Sequence, residues 1–192
     1  MQAAYANALI PVRGYGAPET TEAFAKARES AAGDSAAIER LAADHGLWGG
    51  SFVRGELGAT RAHAAAFLRD VATRPDSPEA SVAHRILGST HWFAGEYREA
   101  RGHLERALAL FQPGRDDDLA LGFGHDAGAA AMLYLGLVLW PLGDVERATS
   151  LVTSAEARTA GLTYIGARIR DNVRINVQPD ARRPRARRTL CR

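Results

Sequence analysis

Before residue 163, apolar residues recur at intervals of three and four rather than two, and alanine, leucine, glutamate and arginine dominate. That period lays one apolar stripe along an α-helix, and those residue types are good helix formers. The pattern predicts an all-α chain with strands hard to place anywhere before residue 163. The most apolar run, Ala129 to Leu142, is 14 residues long, short of the roughly 18–20 that span a bilayer. It is expected to be a buried core helix, with no contact with a membrane.

A longer period overlies the helical one. Gly14, Gly55, Gly95 and Gly143 are separated by 41, 40 and 48 residues, the length of a helix pair with its connections. Around Gly95 stand Leu87-Gly88 before it and Tyr97, Ala100 and Ala107-Leu108 after it; Gly143 repeats the arrangement with Leu135-Gly136, Val145, Ala148 and Ala155-Glu156. A glycine in the turn ends the first helix in a left-handed conformation. The glycine before it and the alanines after it are small enough for two antiparallel helices to nest.

These markers resemble the tetratricopeptide repeat, most fully over 81–113 and well over 129–161. Around Gly55 the likeness weakens: Leu57 and Leu68 are in place, but Trp48 stands where a small residue is expected and Thr60 replaces the alanine. The first unit departs further, because Gly14 to Glu19 puts extra residues and Pro18 into the turn. Pro18 suits the first turn of the helix that follows.

The wording of particular segments narrows the resemblance. Gly14-Tyr15-Gly16-Ala17-Pro18-Glu19, Ala23 to Glu29, Gly46-Leu47-Trp48, Val53 to Leu57, Ala83 to Gly88, Gly102 to Leu110 and Gly124 to Gly128 are similar to the C-terminal repeat region of bacterial class III adenylate or guanylate cyclase-like proteins and predicted ATPase signalling proteins. The likeness covers about residues 5–162. It implies a segment that senses or couples while a domain elsewhere catalyses, and none of that family's catalytic motifs is present here to carry over. Met1 falls inside what should be a first helix and the pattern stops after Leu162, so the chain is expected to be a fragment of a longer architecture.

Charge divides at the same place. Residues 1–162 carry 15 Arg+Lys against 20 Asp+Glu, whereas 163–192 carry 9 Arg against Asp171 and Asp180. The domain reading is therefore a repeat array of about four hairpins over 1–162 and an irregular, disordered basic tail over 163–192. With 23 arginines to the single lysine Lys26, the gene is expected to be GC-rich and the tail a frameshifted or unselected read-through. Arg182, Arg183, Arg185, Arg187 and Arg188 offer non-specific nucleic-acid contact at most, since aromatic stacking partners are missing there. The lone cysteine, Cys191, excludes an intrachain disulfide, and Met1 to Ala8 shows no basic region followed by an apolar core, so no secretory signal is expected. A cytoplasmic location is expected.

Catalytic and metal-binding patterns are sparse. There is no Gly-x-x-x-x-Gly-Lys-Ser/Thr loop and no Gly-x-Ser-x-Gly elbow. His45, His63, His84, His91, His103 and His125 contain no His-x-x-x-His or His-Glu-x-x-His spacing; His84 and His91, two turns apart, are too distant for joint ligation. Asp116-Asp117-Asp118 lacks the alternating ligands and closing glutamate of a calcium loop and reads as a solvated linker before a helix beginning near Leu119. No catalytic residue, cofactor or metal site is expected.

One constellation stands out. Phe52, Trp92 and Trp140 each lie three residues before a turn glycine, and in tetratricopeptide arrays such positions resemble those that face the concave groove. There they would anchor a helical or extended peptide; alternatively each ring packs as ordinary core, and solvent exposure discriminates the two. The chain is thus read as a non-catalytic scaffold for protein or intramolecular regulatory interaction, built as a right-handed stack of hairpins. Two alternatives stay open: a regulatory segment of a cyclase or ATPase, and a truncated, non-functional remnant.

Overall fold

The computed structural model describes residues 2–31 and 37–160. Over these the chain is helical, with no strand among the described residues: α1 Gln2–Arg13, α2 Pro18–Ser30, α3 Ala37–Val53, α4 Leu57–Val71, α5 Pro78–Phe93, α6 Tyr97–Leu110, α7 Leu119–Phe123, α8 Ala127–Leu139 and α9 Val145–Thr159. The tail at 163–192, with Cys191 and its arginines, lies outside the described residues.

Local chemistry explains where the helices start and stop. Pro18 opens α2 as expected, and Pro78 follows Ser77, whose hydroxyl accepts from the Ala80 N–H at 3.2 Å. Asp126 caps α8 in the same way, accepting from the Ala129 N–H at 2.7 Å. All four period-defining glycines have positive φ, from 76° to 89°. At three of them the same pair of backbone bonds closes the preceding helix: Gly55 to Phe52 and Glu56 to Ser51, Gly95 to Trp92 and Glu96 to His91, Gly143 to Trp140 and Asp144 to Leu139. This six-to-one plus five-to-two closure needs a left-handed residue, which is why glycine recurs there.

Each closed turn folds a pair back on itself, giving α1 with α2, α3 with α4, α5 with α6 and α8 with α9. Successive pairs then pack through α2 on α3, α4 on α5 and α6 on α8. The buried apolar side chains fall into four clusters along this succession, the largest formed by α3, α4, α5 and the connection to α8. Every pair hides on its neighbour an apolar face it could not hide alone.

Nesting within a pair depends on absent side chains. A Cβ at Gly88 would lie 2.5 Å from Leu104 Cγ and 3.1 Å from the Ala100 carbonyl; at Gly136 it would lie 2.8 Å from Val152 and 3.1 Å from the Ala148 carbonyl. Leu104 and Ala100 are fully buried and have nowhere to retreat. Gly88→Ala is expected to cost about 2 kcal/mol despite its gain in helix propensity. Gly102→Ala, in α6 with open space around it, is expected to gain about 0.5–1 kcal/mol. Urea denaturation of both variants checks the pair, and a stabilising Gly88→Ala would sink the nesting argument.

In the α3–α4 pair the departures noted above have a tertiary use. Trp48 is buried and donates its indole N–H to Thr90 Oγ1 at 2.9 Å, and Thr60 donates to Ser51 Oγ at 3.1 Å. Gly46 on α3 serves a different contact, with the preceding pair, since its Cβ would strike the Phe24 ring of α2 at 2.4 Å.

The longer last interval, 48 residues rather than 40, makes room for α7. This short helix does not simply link hairpins, because it crosses back to pack on α3 and α1. Asn7 Nδ2 donates to its Gly122 carbonyl at 2.9 Å. The expectation of a solvated Asp116-Asp117-Asp118 linker is corrected accordingly. Asp116 is 2% exposed, accepts from the Gln112 N–H at 2.8 Å and is paired with Arg115, while Asp117 and Asp118 are exposed. The Arg115 pair and the Gln112 N–H hold the Asp116 carboxyl below its ordinary value against its desolvation.

Candidate functional site

Phe52 and Trp92 end α3 and α5 at equivalent places, because the same turn closes both helices. Both are partly buried. Phe52 packs tilted against Trp48 at 5.0 Å and against Phe93 at 5.0 Å, and meets the edge of Tyr134 at 6.2 Å; Trp92 meets Tyr134 at 5.4 Å. Tyr134 on α8 therefore joins rings from three successive pairs. Phe93, beside Trp92, is 39% exposed. Trp140, at the equivalent place after α8, is 45% exposed and has no ring partner among the described residues.

Inward from this cluster the packing turns polar and charged. Arg85 on α5 is 2% exposed, lies over the Trp48 ring at 5.0 Å, and donates from Nη2 to His45 Nε2 at 2.6 Å. A guanidinium has only donors, so His45 must be neutral with its proton on Nδ1. Burial, and then the Arg85 charge, push His45 well below the ordinary imidazole range. His125, in the connection that carries α7, lies 5.0 Å from the His45 ring and donates from Nδ1 to the Phe123 carbonyl at 2.9 Å. Part of its edge reaches solvent, yet desolvation and then Arg85 push it down to about 3. The arrangement holds one fixed cation among neutral rings.

Three further histidines meet at the other edge of the α5–α6 pair. His84 and His103 share a hydrogen bond between Nδ1 atoms at 3.0 Å, and His91 stacks on His103 at 5.3 Å and 6°. His91 Nδ1 also contacts Glu96 at 2.7 Å, and Glu96 accepts from Arg61 at 2.6 Å. Sequence spacing separated His84 from His91; α6 brings His103 between them. Among the described residues no three His, Cys, Asp or Glu side chains converge as metal ligands.

Sequence reasoning placed Phe52, Trp92 and Trp140 by their common offset but missed Tyr134, Phe93 and Arg85. Tyr134 sits one residue before Leu135-Gly136 and Phe93 one after Trp92, so the repeat register was an available signal. Nothing local marked Arg85 as buried, since the chain has 23 arginines. No helix among the described residues is long and apolar enough to cross a membrane. No protein-family model, no curated protein and no solved structure matches this chain.

Proposed function

We propose that the chain is a non-catalytic tetratricopeptide-like scaffold whose hairpins stack in a right-handed superhelix and present a peptide- or protein-binding face. The recurring turn closure and the neighbour-to-neighbour packing support the architecture. One observation carries the binding role: partly accessible rings from three successive pairs, Phe52, Phe93, Trp92 and Tyr134, form one continuous patch. Rigid aromatics in such a patch supply anchors at little entropic cost. The partner is a peptide or protein segment, supplied by another molecule or by a longer polypeptide of the cyclase or ATPase type, in a reducing cytoplasm.

Selection of displayed 12-residue peptides on the intact chain tests this reading. Enriched peptides are expected to bind in the micromolar range, and Phe52→Ala and Trp92→Ala should each weaken the selected peptide by tenfold or more. Failure to enrich any peptide, or affinities indifferent to both substitutions, would falsify it.

A further inference from the structure

Directly inward of the aromatic patch lies a buried cation, Arg85 on α5. Buried charges in the rest of the described chain have opposite partners: Asp44 is paired with Arg28, and Asp116 with Arg115. Arg85 has none. No Asp or Glu oxygen among the described residues lies within 4.0 Å of its nitrogens, and its Nε, fully buried, has no hydrogen-bond acceptor. Its one hydrogen bond goes to a neutral imidazole. Burial lowers the guanidinium to about 10, so it is still a cation at neutral pH.

An unmatched buried cation with an unsatisfied donor is destabilising relative to an apolar side chain of the same shape. The surroundings suit an anion rather than a second cation. His45 accepts from Arg85 on one side, the Trp48 ring lies under the guanidinium at 5.0 Å, and Phe123 packs edge-on against His45 at 5.4 Å. Phe123 belongs to α7, the five-residue helix made by the lengthened interval and joined to α1 through Asn7.

We propose that Arg85 is the receptor for a small monoanionic carboxylate that binds against the unpaired Nε edge of its guanidinium. Charge sets the class: one fixed cation is balanced by one negative charge, whereas a phosphate dianion would leave an excess charge buried. Nε and the second hydrogen of Nη2 supply two donors to the carboxylate.

Benzoate is the probe, added to the intact chain at neutral pH while the melting temperature and the amide spectrum are followed. A saturable rise in Tm of roughly 3 °C at concentrations well above Kd is expected, with the largest shifts in α5 and α7 and little response to benzamide. Arg85→Met, which replaces the cation by an apolar chain of similar length, is expected to melt at or above the wild-type temperature and to lose the benzoate response. Should that variant fail to fold, the comparison of benzoate with benzamide on the wild type decides alone. Equal responses to benzamide, to chloride or in Arg85→Met overturn the proposal, as does no response to benzoate. Binding of a peptide through its C-terminal carboxylate, abolished by amidation, with benzoate inert, overturns the small-molecule source.

Discussion

Truncating Phe123 to alanine is expected to cost about 4 kcal/mol, the range for removing a buried aromatic ring from a core. The ring is 2% exposed and touches residues far apart in the sequence, lying 5.4 Å from His45 and 5.9 Å from Phe67. Helix α7 has only five residues, too few to be stable by itself. Its position rests on this ring, on the Asn7 bond to Gly122 at 2.9 Å, and on Arg158, which reaches Asp117 at 2.6 Å and Asp126 at 2.9 Å. A large drop in urea midpoint should therefore accompany fast hydrogen exchange at residues 119–123 and in α1. A cost under about 1 kcal/mol would show that α7 rests on the array without being part of its core.

Lowering the pH from 7 to 5 is expected to destabilise the fold markedly. Burial pushes His45, His63, His84, His103 and His125 below the ordinary value of 6.5. The unfolded chain therefore binds more protons than the folded one below pH 6.5, so stability present above that pH is lost as the pH falls. For His125, lowered to about 3, the loss at pH 5 is about 2 kcal/mol. His45, fully buried against Arg85, acts in the same direction. Asp44 works the other way, since burial raises its carboxyl above the ordinary 3.8 despite Arg28, but it is one group against five. Carboxylates held low by partners, such as Glu56 and Glu96, lose their contribution only below about 4.5. The interval between 6.5 and 4.5 thus isolates the histidines. Urea midpoints at pH 7 and 5 measure the effect, and His125→Gln should flatten the slope. Equal midpoints at the two values would contradict the buried, neutral state of these rings.

Much of the helical framework was legible because its determinants are local. Positive φ at Gly14, Gly55, Gly95 and Gly143 is a demand of the turn itself, so the period of these glycines located every hairpin. Gly88 and Ala100 announced a close approach that Leu104 completes. The shared offset of Phe52 and Trp92 likewise put both at the ends of successive first helices. The repeat register marked Tyr134 within its own helix, one residue before Leu135-Gly136, but only the packing of α8 on α5 and α6 brought that ring to Phe52 and Trp92.

The sequence by itself determined that this chain is helical, where each hairpin turns and which small residues let its helices touch, since each of these is a contest among neighbours within a few turns of backbone. Only the tertiary structure decided that α7 crosses back to α1 and α3, that Asp116 is buried, that three histidines meet on the α5–α6 pair, and that Arg85 is enclosed without a counter-ion. Burial and charge compensation depend on what other segments bring within a few ångströms, and side-chain identity along the chain carries no record of that.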